Sequence, residues 1–271
     1  MYSKTLEAMR QLIRIARQHP LPSHSVEGIR AGIKQLKMST ALGEDFLDVA
    51  FLRELDDEAC EELAKLLDTI EEEVKWPGHI YLNVIVLMGK PGGGVRPIAL
   101  MPMLYRLWAR IRKEQIQEWD LECQGPWDAA VRGSSALRAA LLTAFGDEVA
   151  TLNGDTAAAI LWDMQKFYDN IDVIKLIEEV GWTNYPIKVA ALGIQMHLAP
   201  RVIKAYDNYT LVDALPTNSI IAGCTQSNYF ARVHLFRILR RVSEGHPTTG
   251  LRSFVDCLLY TSDAADEVRR V

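Results

Sequence analysis

Two apolar runs in this sequence end in an aspartate. Residues 157–162 read Ala-Ala-Ala-Ile-Leu-Trp and stop at Asp163, and residues 251–255 read Leu-Arg-Ser-Phe-Val and stop at Asp256. A short continuous apolar run is the pattern of a buried central strand. Alone, each aspartate merely ends a strand. Two carboxylates aimed from neighbouring strands at one spot call for a metal or a proton. Paired divalent cations about 3.5–4 Å apart stabilise the attacking and leaving oxygens of an in-line phosphoryl displacement. A second element points the same way. Gly92, Gly93 and Gly94 let backbone N–H groups approach an anion closely, while Lys90 supplies a point charge and Arg96 a bidentate fork. By itself this is a glycine-rich turn, and it is no Walker A loop, because Gly-Lys comes first and no Ser or Thr follows the lysine.

The elements that must position these groups alternate without βαβ regularity, which predicts an α+β fold. Leu6, Met9, Leu12, Ile13 and Ala16 fall at helical spacing within residues 1–18, and His19-Pro-Leu-Pro breaks that helix. Residues 46–74 form an acidic amphipathic stretch, with Asp56, Asp57, Glu61 and Glu71 to Glu73 expected on a solvated face. Extended runs at 80–88 and 95–100 flank the glycines as a β-hairpin. Pro97 cannot donate to a ladder, so its strand belongs at an edge. Pro102 then opens a helix with Leu104, Leu107, Trp108 and Ile111 on one face. Arg106, Arg110 and Lys113 lie on the other and are candidates for nucleic-acid backbone contacts, which would give strong salt dependence. Serines cap a helix over 132–142, further helices cover 173–180, 186–198 and the stretch up to 241, and strands are predicted at 202–206 and 209–212. Trp108, Trp119, Trp162 and Trp182 are expected in the core, and Cys224 reads as a packing residue, since no histidine is placed to activate it.

Composition narrows the function classes. The chain has 271 residues, 49% hydrophobic and 24% charged, enough to bury a substantial core and to exclude wholesale disorder. No apolar run approaches the roughly 18 residues of a membrane span, and residues 1–20 carry charges throughout. A soluble intracellular protein, nuclear or cytoplasmic, without a signal peptide or membrane contact is expected. Four cysteines without a Cys-x-x-Cys pair argue against a disulfide framework or a structural zinc site. A net charge of −5 argues against a generally basic nucleic-acid coat and leaves room for a local basic groove. Residues 257–267 look like the in-frame translation of a transposase-type sequencing adapter, followed by translated index sequence over 268–271. Native information is then expected to end at Asp256.

The order of these motifs resembles the reverse-transcriptase domain of non-LTR retrotransposons and of the related group II intron type, over residues 76–256. Residues 1–75 stand as an N-terminal helical extension. The resemblance implies a right-hand polymerase's fingers and palm, with an antiparallel palm sheet, packed helices and the thumb missing. Lys90-Pro-Gly-Gly-Gly-Val-Arg-Pro-Ile98 resembles the fingers motif that contacts the incoming nucleotide, which implies Lys90 and Arg96 as dNTP ligands. Residues 124–137 resemble the block before the palm. Asp163-Met-Gln-Lys-Phe-Tyr-Asp169 resembles palm motif A, with Asp163 a catalytic metal ligand and Tyr168 the aromatic that excludes a ribose 2′-OH. Ser219 to Ser227 resembles motif B, where Gly223 and Ser227 match the nucleotide-binding loop, and Phe254-Val-Asp256 resembles the start of the Phe/Tyr-x-Asp-Asp motif. The implied activity is nucleotidyl transfer from a dNTP to a DNA primer 3′-OH on an RNA template. Asp163 and Asp256 would hold two Mg2+ ions, with Mn2+ as the alternative.

Three positions depart from the family pattern. Ala222 replaces the usual Gln before the motif B glycine, Asn228 replaces the usual Pro after its serine, and Cys257 stands where a second aspartate is expected. These departures, with the missing thumb, imply a chain that is inactive or severely impaired as written. They also motivate the alternative of a catalytically inactive, reverse-transcriptase-like protein that binds nucleic acid or another protein. Oligomeric state is not legible in the sequence.

Overall fold

The computed structural model describes residues 2–131, 133–154, 157–206, 208–212, 216–246, 250–254 and 257–263. Four helices lead: α1 (Tyr2–Ala16), α2 (Val26–Lys34), α3 (Val49–Arg53) and α4 (Asp57–Glu73). Side-chain oxygens satisfy the free N–H groups at their starts, Ser25 accepting from Gly28, Asp48 from Ala50 and Asp56 from Ala59. The Asp56 cap is why the acidic stretch over 46–74 forms two helices instead of one. The hairpin β1 (Asn83–Gly89) and β2 (Val95–Leu100) follows, then α5 (Met103–Ile111), α6 (Lys113–Glu122), α7 (Ala136–Leu152) and β3 (Ala157–Asp163). The remaining elements are α8 (Val173–Trp182), α9 (Ile187–His197), β4 (Arg201–Ala205), β5 (Asn208–Leu211), α10 (Ser227–Gly245), β6 (Gly250–Phe254) and β7 (Cys257–Asp263).

The strands form two small sheets. One has the order β2-β1-β4-β5, antiparallel except for the parallel β1/β4 pair. The other has the order β3-β7-β6 and is antiparallel throughout. Pro97 lies on β2, an edge strand, where its missing N–H leaves no ladder bond unmade. Helices α1 and α2 pack on α9, α8 and α5, so the leading helices share one hydrophobic core with the rest of the chain. Trp76 links α9 and α5, donating its indole N–H to the Leu192 carbonyl at 2.9 Å while its ring meets Tyr105 and Trp108 edge-on.

Three expectations drawn from the sequence need correction. Strand β3 is not a buried central strand. It lies at the rim of its sheet, with Leu161 and Trp162 exposed at 74% and 62%. Helix α7, which precedes it in the chain, likewise has no buried residue of its own. Trp162 is therefore outside the core, as is Trp182, whose ring lies beneath the guanidinium groups of Arg237 and Arg240, while Trp108 and Trp119 are buried. Glu71 does not lie on a solvated face. It is buried and accepts from Arg112 Nε and Nη2, both at 2.6 Å, and from the Trp108 indole at 2.7 Å. A helix period marks the inward stripe but does not reveal which carboxylate on it meets a guanidinium from another helix.

Candidate active site

Strand β3 delivers Asp163 to the end of the antiparallel sheet. Its Cα partner across the ladder is Cys257, and Cys257 is also the ladder partner of Phe254 at the close of the β6/β7 hairpin. Asp256, the covalent neighbour of Cys257, lies outside the described residues. Asp163 is exposed, and among the described residues its carboxylate has no hydrogen-bond or ion-pair partner. An open carboxylate at a strand end is a hard oxygen donor and suits Mg2+ or Mn2+.

Beyond Asp163 the chain turns through Lys166, at φ 51°, into a single 3-10 turn over Phe167–Asn170. Phe167 is buried and anchors the turn in the core, and the next residue is held at both ends. The Tyr168 carbonyl accepts from Ile220 N at 2.9 Å, and its phenol donates to Asn228 Oδ1 at 2.6 Å. Ser219 N donates to the Ile171 carbonyl at 3.0 Å. Segment 219–228 is thereby fastened across the turn that carries Tyr168.

That segment is rigid for further reasons. Ser227 Oγ donates to the Ile221 carbonyl, Ile221 N donates to His197 Nδ1 at 2.7 Å, and Arg201 Nη2 donates to Ser219 Oγ at 3.0 Å. Gly223 adopts φ 94° with open space where a side chain would stand, a conformation glycine takes without strain. The Cys224 thiol is pushed up by burial and lies 3.1 Å from the Tyr105 hydroxyl, as a packing residue would. Sequence reasoning missed His197. Burial, and then the charge of Arg201, lower it to about 3, so it is neutral and accepts from the loop. Because its folded pKa lies below the unfolded value of 6.5, its contribution to stability is complete above pH 6.5. It is lost as pH falls from there toward 3, at up to about 1.4 kcal/mol per pH unit. Urea midpoints of the wild type minus those of His197→Asn, measured from pH 7 to 4, are expected to converge as pH falls.

The other candidate ligands lie on separate elements. Lys90 and Arg96 flank the β1/β2 turn, which closes through Lys90 N to Gly94 O at 3.0 Å and Gly93 N to Lys90 O at 3.1 Å, with Gly93 and Gly94 at positive φ. Both side chains are exposed and, among the described residues, neither is tied to the Asp163 turn. Arg106, half-buried, donates from Nη2 to the Ala41 carbonyl at 2.7 Å, which ties α5 to the loop before α3. Arg110 and Lys113 line a groove of about 1050 Å3 together with Gln117, Gln226, Asn228 and Arg232. Arg232 is held there between the carboxylates of Asp120 and Asp128. Burial pushes Asp128 up to about 6.

A different cluster gathers metal-ligand types. His24, Asp68 and Glu71 bring three donor atoms together, with His24 Nδ1 at 2.6 Å from Asp68. Both Glu71 oxygens already accept from Arg112, whose Nη2 lies 3.3 Å from His24 Nδ1. With a guanidinium in place, this donor set is an ion network and does not suit a cation.

A small antiparallel sheet that ends in a carboxylate, with packed helices around it, is an arrangement with counterparts among solved structures. The chain is similar to the structure of apo telomerase from Candida Tropicalis, with a TM-score of 0.53 at 13% identity over 72% of this chain and 41% of that one. It is also similar to the apo telomerase from Candida Tropicalis truncated from its C-terminal domain, with a TM-score of 0.50 at 15% identity over 72% of this chain and 46% of that one. At such identities the likeness is one of fold, and the chain spans less than half the length of the telomerase chains it matches. No family model matches the sequence. No curated protein matches it either. No helix among the described residues is long and apolar enough to cross a membrane.

Proposed function

We propose that this chain is the fingers and most of the palm of a retroelement RNA-directed DNA polymerase, which joins a dNTP to a DNA primer 3′-OH on an RNA template. The observation that carries this reading is the register of the antiparallel sheet, which sets Asp163 opposite Cys257, the neighbour of Asp256. Asp163 and Asp256 would hold two Mg2+ ions, which when bound supply charge stabilisation at the reacting oxygens. Around them, Lys90 and Arg96 bind the triphosphate, Tyr168 packs against C2′ of the sugar, and the open backbone at Gly223, braced by Ser227, accepts the base. Arg110 and Lys113 face the template backbone from their groove.

Residues 257–271 are translated adapter in this reading. Strand β7 is compatible with that origin, because ladder hydrogen bonds use backbone atoms and Leu-Leu-Tyr-Thr is a strand-forming run. Sequencing of the source locus across codon 256 checks it, and an aspartate codon at 257 would supply the second motif C carboxylate. Should Cys257 be native, the alternative gains weight: a catalytically inactive protein of this fold that binds nucleic acid. The functional test, made on the full-length product of that locus, is incorporation of labelled dNTP on an RNA template with a DNA primer, with and without Mg2+. Template-dependent incorporation supports the polymerase, whereas retained RNA binding without incorporation supports the alternative.

A further inference from the structure

We infer that Asn228 is a positioning residue for sugar discrimination and acts through Tyr168; this rests on the polymerase reading above and deepens it. Tyr168 is fastened at opposite ends, its carbonyl by Ile220 N at 2.9 Å and its phenol by Asn228 Oδ1 at 2.6 Å. A side chain fixed at its backbone and at its tip has one χ1 and one ring axis left to it, so the ring edge holds a single position. The anchor itself is fixed. Asn228 lies in the first turn of α10, directly after the buried Ser227, whose hydroxyl binds the Ile221 carbonyl. Phe167, packed in the core and 5.5 Å from the Tyr168 ring centroid, supports the turn from behind. The same Asn228 lines the groove that holds Arg110 and Lys113, so the anchor stands at the border of the surface assigned to template and nucleotide.

A ring that excludes a 2′-OH by contact discriminates only as well as its position is defined. Loss of the phenol anchor lets the ring rotate away at little cost and admits the extra hydroxyl. The hydrogen bond joins two side chains, so removal of either partner should have the same consequence, and removal of both should add nothing.

The test is equilibrium competition of dATP and of ATP against a base-labelled dATP. The full-length product of the source locus is bound to an RNA–DNA primer duplex ended in a dideoxynucleotide, in Mn2+. The readout is the ratio of the ATP and dATP dissociation constants. The wild type is expected to favour dATP. Asn228→Ala and Tyr168→Phe should each lower the ratio about three- to tenfold, the range for one lost hydrogen bond, and the double variant should go no lower. Asn228→Pro, tolerated in a first helical turn, should repeat the Asn228→Ala result and guards against a folding artefact. A wild-type ratio in Asn228→Ala and Asn228→Pro, with a lowered ratio in Tyr168→Phe, overturns the role of Asn228 and leaves the polymerase reading intact. Equal affinity for dATP and ATP in the wild type overturns the role of Tyr168 at the sugar, and Asn228 falls with it. Failure to bind either nucleotide overturns the polymerase reading itself.

Discussion

In the full-length product of the source locus, Asp163→Asn is expected to lower Mg2+-dependent nucleotide incorporation by at least about 10²–10³-fold, the range seen when one preorganised electrostatic stabiliser leaves an active site. The carboxylate sits at the last residue of a strand whose ladder position is fixed by seven register pairs, and it has no protein partner among the described residues. Replacement by the isosteric amide removes one unit of negative charge and keeps the shape. Stability should stay within about 0.5 kcal/mol, as for an exposed position without partners. Activity and stability therefore separate, which distinguishes a chemical role from a structural one. Mn2+ titration followed by electron paramagnetic resonance gives a readout independent of turnover, and Asp163→Asn should lose the tightest ion. Glu72→Gln, an acid on the exposed side of α4, serves as the control. Wild-type incorporation and Mn2+ affinity in Asp163→Asn would remove the residue from the site.

Glu71→Ala is expected to cost about 3–5 kcal/mol of folding stability, the usual consequence of leaving a buried charge without its partner. Glu71 is buried, its Arg112 partner is buried, and the Trp108 indole shares the same oxygen. Arg112 also donates to the Pro22 carbonyl, which ties the linker before α2 to α5 and α4. Removal of the carboxylate strands a guanidinium between three elements. At this chain length each kcal/mol moves the midpoint by about 2–4 °C, so thermal unfolding should shift downward by on the order of 10 °C. The double change Glu71→Leu with Arg112→Met removes both charges and should recover most of the loss, as buried pairs replaced by apolar residues commonly do. A loss below about 1 kcal/mol in Glu71→Ala would show that water reaches Arg112.

Local signals in the sequence carried much of this architecture, and long-range pairing carried the remainder. Pro97 announced an edge strand because its missing donor is a property of one residue. Asp163 at the end of an apolar run announced a strand terminus for the same kind of reason. The burial of β3 was not legible, because a run of apolar residues says nothing about what covers it. Glu71 and Glu72 are indistinguishable in composition, and only the arrival of Arg112, 41 residues on, separates them. Asn228 read as a departure from a family pattern. Its hydrogen bond spans 60 residues, and nothing local to either residue encodes it. The acid break at Asp56 was visible as a residue type but was absorbed into the longer amphipathic period.

Helix α7 gives the chain a physical character that its net charge of −5 does not suggest. A helix that is apolar all round is normally enclosed, whereas Leu141, Phe145, Val149 and Leu152 are all exposed here, as are Leu161 and Trp162 of the rim strand β3. The colloidal behaviour of this chain is set by that surface. Kosmotropic salts, which are excluded from protein surfaces and favour apolar contact, should precipitate it early, and amphiphilic dyes should light up on the native state without any loosening of the fold. Dye binding alone is therefore an unsafe sign of a molten globule in this protein, and retained near-ultraviolet dichroism is the better witness of an intact core.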